Sequence, residues 1–283
     1  MKCVFCKRRT VGFIISISFI VLMNGVGCAK NKGSEDVAEI PRIITHACGR
    51  IDGHDYTNSL EALEYNYGLG QRAFEVDFRL TSDEKLVLKH EWNDGFQEGI
   101  DESHIPTLEE FKSKKILGKY TPMDINDLII YMKEHEDIVI ITDTKETDPD
   151  LIKKEFNAIK KALNEESATD LANRFIVQLY NEQMLGCVNE IMQFNCYIFT
   201  LYQVWLGDIE SFPQYCEICK NNNIKYITMV ALFATDDVLK IANDYGIEVC
   251  VHPVNNREEA IEYFRRGIHS IYTDDLVFSD EYM

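Results

Sequence analysis

The residues of this chain best suited to chemistry are three acids, two histidines and a lysine that stand at or just after short apolar segments. They are Glu75, Asp77, Asp143, His46, His90 and Lys145. Three carboxylates at one place would raise one another's pKa values unless a cation lay between them. Carboxylate oxygens suit a hard ion, Ca²⁺ or Mg²⁺, better than zinc. Two histidines beside that ion would supply the proton acceptor and the proton donor that cleavage of a phosphodiester requires.

Each of these residues also has an ordinary structural explanation. A Glu-x-Asp on a strand is more often a solvated edge, and a histidine at a strand end is more often a hydrogen-bonded polar residue than a catalyst. Side chains alternate along a strand, so Glu75 and Asp77 face the same way, as do Asp143 and Lys145. Because such residues recur at the ends of successive segments, we favour one shared site.

Eight short segments rich in β-branched and other apolar residues recur along the chain. They span residues 42–46, 73–78, 138–143, 175–179, 196–201, 226–230, 247–252 and 269–272. Amphipathic helical patterns separate many of them, at residues 59–67, 150–163, 182–192, 236–245 and 257–266. This alternation predicts an α/β fold of the (β/α)8 type, a TIM barrel, in which the carboxyl ends of the strands converge on one face.

One connection departs from this alternation. After the second strand, residues 81–84 form a turn and residues 86–90 form another extended segment, which predicts a hairpin folding back over the barrel mouth. Residues 91–124 are then longer than an ordinary strand-to-helix loop. We expect a small insertion or cap there, shaping the entrance.

The N-terminal residues 1–28 have the layout of an export signal. Basic residues in the first ten positions precede an uncharged run over residues 11–27, which ends at Gly25-Val26-Gly27-Cys28. These four residues resemble a bacterial lipobox, so we predict a lipoprotein attached to the membrane at Cys28 and exported to the cell surface or periplasm. Cleaved soluble export and an uncleaved anchor are the alternatives. Residues 29–40 have the composition of a linker, and residues 41–283 form the predicted barrel domain.

Composition limits the partners. The chain has 283 residues, 46% of them hydrophobic, which is enough for one large core, and its formal net charge of −18 argues against nucleic acid as a partner. Six cysteines follow Cys28, a number that permits disulfides without implying any. Cys216 and Cys219 share a helical stripe with Phe212, so we predict that they pack in the core.

The polar residues occur in an order that resembles the glycerophosphodiester phosphodiesterase family, within the phospholipase C-like barrels. The family's His-Arg-Gly and Glu-Asn-Thr motifs have counterparts in His46-Ala47-Cys48-Gly49 and Thr57-Asn58-Ser59. Its acid-x-Asp, Thr-x-Asp and His-Asp motifs appear as Glu75-Val76-Asp77, Thr81-Ser82-Asp83 and His90-Glu91. Its Glu-x-Lys, Val-Asn and Thr-Asp motifs appear as Asp143-Thr144-Lys145, Val254-Asn255 and Thr273-Asp274.

This resemblance implies a TIM-barrel enzyme that hydrolyses a small glycerophosphodiester to an alcohol and glycerol 3-phosphate, with Ca²⁺ or Mg²⁺ bound. It implies that His46 and His90 are the acid/base pair, that Glu75, Asp77 and Asp143 are the metal ligands, that Lys145 is a phosphate or carboxylate partner, and that Asn58 lines the site.

Several departures from the family pattern affect substrate binding. Ala47 stands where the family has a phosphate-binding arginine, which leaves Arg50 as a substitute, and Asp143 is one methylene shorter than the usual Glu. Changes at Gln178-Leu179-Tyr180 and His252-Pro253 indicate a different leaving group, larger than a common head group. Two alternatives remain: a phospholipase C-like lyase that stops at a cyclic phosphate, and a catalytically weak surface protein that binds a phosphorylated polymer.

Overall fold

The computed structural model of the protein describes residues 39–205 and 207–277. Nine strands lie within these ranges. They are β1 (Ile43–Thr45), β2 (Ala73–Leu80), β3 (Leu86–Leu88), β4 (Val139–Asp143), β5 (Phe175–Leu179), β6 (Cys196–Thr200), β7 (Tyr226–Val230), β8 (Glu248–His252) and β9 (Ser270–Thr273).

Eight of these strands form a closed parallel barrel. Neighbours pair in the order β1, β9, β8, β7, β6, β5, β4 and β2, and β1 closes the ring by pairing with β2 where Thr45 lies opposite Phe74. All eight pairings are parallel. The predicted TIM barrel is therefore confirmed, and every strand delivers its carboxyl end to one face, the mouth.

Helices connect the strands around the outside. They are α1 (Leu60–Gly68), α2 (Leu108–Ser113), α3 (Ile125–Glu134), α4 (Pro149–Glu165), α5 (Glu182–Ile191), α6 (Phe212–Asn221), α7 (Asp236–Tyr245) and α8 (Arg257–Arg265). Most begin at a residue whose side chain accepts a backbone N–H of the first turn, as Ser59 does for α1 and Asp124 for α3. Gly246 ends α7 in the left-handed conformation that glycine adopts without strain.

The predicted hairpin is present after the second strand. β3 runs antiparallel to the end of β2, with Phe78 opposite Leu88 and Leu80 opposite Leu86. The stretch 91–124 that follows carries α2 and packs against the hairpin through a small separate core. That core contains Val87, Trp92, Ile100 and Phe111.

The strands at the two predicted histidines are shorter than the sequence indicates. β1 ends at Thr45 rather than at His46, and β3 ends at Leu88 rather than at His90. Both histidines therefore lie on the turns that leave the strands, where the backbone is free to aim them into the mouth.

The six cysteines after Cys28 are all buried and unpaired, at positions 48, 187, 196, 216, 219 and 250. Cys216 and Cys219 both have 0% exposure, so their predicted core packing is confirmed. The predicted export signal and lipidation site at residues 1–28, and nearly all of the predicted linker, lie outside the described residues. Within residues 39–277, apart from residue 206, no helix combines the length and the apolar character needed to cross a membrane.

Candidate active site

The turn after β1 has an unusual backbone. Ala47 and Cys48 both have positive φ values, 48° and 65°, in the left-handed region that costs energy for residues other than glycine. This conformation points the Ala47 N–H at Glu75 Oε2, at 2.7 Å. Gly49 follows because a Cβ atom there would lie 2.4 Å from the Asn66 side-chain nitrogen. The turn thus joins the first strand to the carboxylate of the second.

His46 is held by an acid from the far end of the chain. Its Nδ1 lies 2.8 Å from Asp274 Oδ1, and its Nε2 lies 4.0 Å from Glu75 Oε2. Burial lowers the pKa of His46, but the hydrogen bond to Asp274 and the charges of Glu75 and Asp77 outweigh that effect and raise it to about 9. Asn255 in turn bonds Asp274 through its side-chain amide. His46 is therefore oriented and carries a proton at neutral pH.

Three carboxylates converge beside His46. Ligand oxygens of Glu75, Asp77 and Asp143 all lie within 4.8 Å of one another, and all three residues are buried. β2 and β4 are paired neighbours with Asp77 opposite Asp143, so the parallel register itself brings these side chains together.

The three acids differ in their partners. Asp77 accepts a hydrogen bond from Asn58 Nδ2 at 2.8 Å and pairs with the Lys145 ammonium. Asp143 Oδ2 lies 2.9 Å from Lys145 Nζ, and Asp143 Oδ1 accepts from the Tyr180 hydroxyl. Burial opposes ionisation of Asp77, but the positive charge of Lys145 lowers its pKa below the usual value. Lys145 and Asn58 thus bind the acid cluster.

Glu75 is the acid with spare binding capacity. Its Oε1 is buried and has no hydrogen-bond partner among the described residues. Burial and the charge of Asp77 raise the pKa of Glu75 to about 8. An unpartnered buried oxygen, two further carboxylates and an all-oxygen donor set fit a hard divalent cation such as Ca²⁺ or Mg²⁺. These residues form a candidate metal site.

His90 lies across the mouth from His46, with Tyr56 between them. The Tyr56 ring centroid is 4.8 Å from that of His46 and 4.5 Å from that of His90. Arg79 Nε donates to the His90 carbonyl at 3.0 Å, which fixes the turn after β3. Burial lowers the pKa of His90 below its usual value, more than the charge of Asp77 raises it. The two histidines therefore differ in protonation.

Most of these groups line one pocket at the barrel mouth, with about 640 Å³ of empty space including its opening to solvent. Its lining residues are His46, Tyr56, Glu75, His90, Asp143, Lys145, Gln178, Tyr180, Thr200, Tyr202, His252, Pro253 and Tyr272. None of them belongs to the stretch 91–124, which packs outward on the hairpin instead of over this pocket.

Arg50 lies beside the pocket, with Nη2 4.0 Å from Asp274 Oδ2, and does not line it. Its Nε bonds Asp55 Oδ1 at 2.6 Å, and its Nη1 pairs with Asp275. These two acids hold the guanidinium beside the mouth, and Arg50 is absent from the pocket lining. The remaining predicted residues, His46, Glu75, Asp77, His90, Asp143, Lys145 and Asn58, come together in one connected group.

Sequence reasoning gave no specific role to Asp274 or Tyr56, and it named His252 only as one of the changes that indicate a different leaving group. Asp274 had a signal, because it belongs to the Thr273-Asp274 pair at the end of the last strand. Tyr56 had none, since the sequence around it resembles an ordinary loop.

The fold and the site define a class: a TIM-barrel hydrolase acting on phosphodiesters, with paired histidines and an acid cluster at the carboxyl ends of the strands. The sequence model of the Glycerophosphoryl diester phosphodiesterase family matches residues 50–277, and the chain belongs to this family. His46 precedes the matched range, so its position at the site comes from the structure. No curated protein sequence matches the chain significantly.

Solved structures share the fold at low sequence identity. A phosphodiesterase from Oleispira antarctica in complex with the product sn-glycerol-3-phosphate is 15% identical with a TM-score of 0.67, covering 83% of this chain and 93% of that one. A glycerophosphodiester phosphodiesterase from Thermotoga maritima is 20% identical with a TM-score of 0.59, covering 83% and 95%. One from Parabacteroides distasonis is 17% identical with a TM-score of 0.63, covering 82% and 92%.

Proposed function

We propose that the protein hydrolyses glycerophosphodiesters to an alcohol and a phosphomonoester, using Ca²⁺ or Mg²⁺ held by Glu75, Asp77 and Asp143. The observation that carries this proposal is the arrangement in one pocket of two histidines beside an acid cluster with an unpartnered oxygen. The sn-glycerol-3-phosphate bound as product to the Oleispira antarctica phosphodiesterase supports a small glycerophosphodiester as the substrate.

The two histidines divide the proton transfers. His90, whose pKa is lowered by burial, is neutral and accepts a proton from the attacking water. His46, whose pKa is raised to about 9 with Asp274 hydrogen-bonded to Nδ1, donates a proton from Nε2 to the leaving oxygen. The water oxygen bonds to phosphorus as the bond to the alcohol oxygen breaks, which gives the free alcohol and a phosphomonoester. His90 is then protonated and His46 neutral, and proton exchange with solvent restores the starting state.

A divalent cation bound by the three carboxylates would supply charge neutralisation for the phosphoryl oxygens. Lys145 adds a positive charge at the same place, and the adjacent carboxylates raise its pKa despite burial, so it remains an ammonium. Asn58 holds Asp77 in position through two hydrogen bonds, one from Nδ2 and one accepted by Oδ1. Arg50 is bound by Asp55 and Asp275, whereas Lys145 lines the pocket, so we expect Lys145 to contact the phosphate.

We also propose export as a lipoprotein attached at Cys28, which rests on the sequence pattern of residues 1–28. Radiolabelled palmitate incorporation that Cys28→Ala abolishes would support this proposal, and equal incorporation by the variant would contradict it.

The first experiment is product release from a panel of glycerophosphodiesters by the purified full-length protein, with Ca²⁺, with Mg²⁺ and with chelator. We expect metal-dependent release of a phosphomonoester that His46→Ala and Glu75→Ala each abolish. A cyclic phosphate as the final product would instead identify a lyase. Absence of cleavage by folded protein under every metal condition would overturn the proposal and leave the binding protein as the alternative.

A further inference from the structure

The pocket has two chemically different sides. His46, Glu75, His90, Asp143 and Lys145 form the catalytic side. The other lining residues are Tyr56, Gln178, Thr200 and a group here called the aromatic wall, which consists of Tyr180, Tyr202, His252, Pro253 and Tyr272. It contains no carboxylate, ammonium or guanidinium group.

Two polar groups of the aromatic wall are already used inside the protein. The Tyr180 hydroxyl donates to Asp143, and the Tyr272 hydroxyl donates to Gln178 Oε1 at 2.9 Å. Burial and the nearby charge of His46 lower the pKa of His252 to about 4, so this imidazole is neutral. Apart from the Tyr202 hydroxyl and the His252 ring nitrogens, the wall offers a ligand ring surface, and a charged group placed there would lose hydration without gaining a charged partner.

The rings of the aromatic wall form one continuous surface. The ring centroid of His252 lies 5.7 Å from that of Tyr202 and 5.9 Å from that of Tyr272, distances typical of packed aromatic pairs. The surface runs outward from the buried Tyr272, which is 3% exposed, to Tyr202, which is 55% exposed at the rim.

Two exposed apolar side chains lie on the loops after β6 and β7, the first of which also carries Tyr202. Val204 is 45% exposed and Leu232 is 78% exposed. Their neighbours form a rigid base: the Trp205 and Phe233 rings are 5.4 Å apart, and a Cβ atom on Gly207 would lie 2.8 Å from the Phe233 ring. Exposed apolar residues held on a packed base beside a pocket are typical of a binding surface.

We propose that the aromatic wall binds the alcohol portion of the phosphodiester, and that this alcohol is apolar, with its outer part resting on Val204 and Leu232. This inference rests on the proposed function, because the catalytic side is what fixes the phosphate and leaves the alcohol facing the wall. It assigns the protein to diesters of an aliphatic or aromatic alcohol in preference to charged head groups.

Two synthetic diesters of glycerol 3-phosphate test this inference, one with ethanol and one with n-octanol, both below the concentration at which they aggregate. The release of glycerol 3-phosphate by the full-length protein gives kcat/KM for each. We expect the octyl diester to be preferred at least about tenfold, since apolar burial scales with the number of methylene groups. Tyr202→Ser and Leu232→Ser should each lower this preference several-fold.

Tyr65→Ser is the matched control, because Tyr65 is 54% exposed on α1 and does not line the pocket. It should leave both values and their ratio unchanged. Cleavage of both diesters without an octyl preference, or a preference that survives the Tyr202 and Leu232 substitutions, would overturn the inference and leave the proposed function intact. The inference would also be overturned if the protein bound neutral lipid vesicles, Leu232→Ser weakened that binding, and kcat/KM did not depend on the chain length of the alcohol. This result would assign the surface to a membrane. Cleavage of neither diester, nor of any other in the panel, would overturn both.

Discussion

The two ends of the barrel differ in how their buried polar groups are accommodated. At the mouth, three buried acids lie together, Glu75 Oε1 lacks a partner, and Ala47 and Cys48 adopt left-handed conformations. At the base, where the strands begin, the buried His269 uses both of its ring nitrogens: Nδ1 contacts Glu248 Oε2 at 2.5 Å and Nε2 contacts the Ile40 carbonyl at 2.9 Å.

The base also has a dense apolar core. Its members include Ile40, Ile44, Ala73, Ile176 and Tyr226, all almost fully buried. The chain enters the barrel here, and Ser270 Oγ donates to the Pro41 carbonyl at 2.8 Å, which ties the entering segment to the last strand. A barrel strand can therefore stabilise the fold at its start and carry at its end a buried polar group that lowers stability, a division common to TIM barrels.

The largest effect is expected from Glu75→Gln, which should lower turnover about 10³-fold or more because a metal ligand contributes several kcal/mol.

In chelator, the same change should stabilise the protein. Glu75 has a pKa of about 8 in the folded protein against an ordinary value of 4.5, so the wild type loses stability as pH rises from about 4.5 to about 8. We expect the melting temperature of the variant to exceed that of wild type by about 2–4 °C or more at pH 9, and by less at pH 5.

Differential scanning calorimetry in chelator at the two pH values measures this difference, with the exposed Glu64→Gln as the control. A variant that melts below wild type at pH 9 would show that the Glu75 carboxylate stabilises the metal-free protein. The mouth would then not differ from the base in this respect. Added Ca²⁺ or Mg²⁺ should raise the melting temperature of the wild type at pH 9 and leave that of the variant unchanged.

A smaller effect is expected from Asp274→Asn. The substitution removes the carboxylate that hydrogen-bonds His46 and helps to raise its pKa to about 9. We expect kcat/KM to fall about 10–100-fold, as for loss of a hydrogen bond to a charged group. The alkaline limb of the pH–rate profile should also move to lower pH. Asp275→Asn, which changes the adjacent acid paired with Arg50, is the control, and an equal loss from both variants would contradict a specific role for Asp274.

The smallest effect on turnover is expected at the base. His269→Ala removes two contacts, to Glu248 and to the Ile40 carbonyl, and should lower the free energy of unfolding by about 1–3 kcal/mol while kcat/KM changes less than about twofold. Urea denaturation and the turnover assay measure both quantities. His104→Ala, at a histidine side chain that is 59% exposed, should alter neither. A large loss of turnover from His269→Ala would show that the two ends are coupled.

The barrel could be predicted from the sequence because its signals are local. The β-branched segments, the helix caps and the acid pair Glu75 and Asp77 depend on residues close together in the chain, and the alternation along β2 already places both acids on one face. The register between β2 and β4 then follows from the parallel barrel, which explains why Asp143 was also found.

Other features of the site depend on residues far apart in the sequence. Arg50 was a candidate for phosphate binding, and nothing local shows that Asp275, 225 residues away, pairs with it. The contact of His46 with Asp274 spans 228 residues. The aromatic wall depends in the same way on where β6, β8 and β9 end relative to one another, which is a property of the closed ring.

The rates at which a thiol reagent labels the buried, unpaired cysteines report how the folded protein opens. Burial raises the pKa of Cys216 and of Cys250 to about 12, and a thiol that is both shielded and protonated reacts slowly with electrophiles. Cys250 lies on the barrel strand β8, and Cys216 is a buried residue of α6. The order in which a thiol reagent labels them therefore reports whether the outer helix detaches before the ring of strands opens.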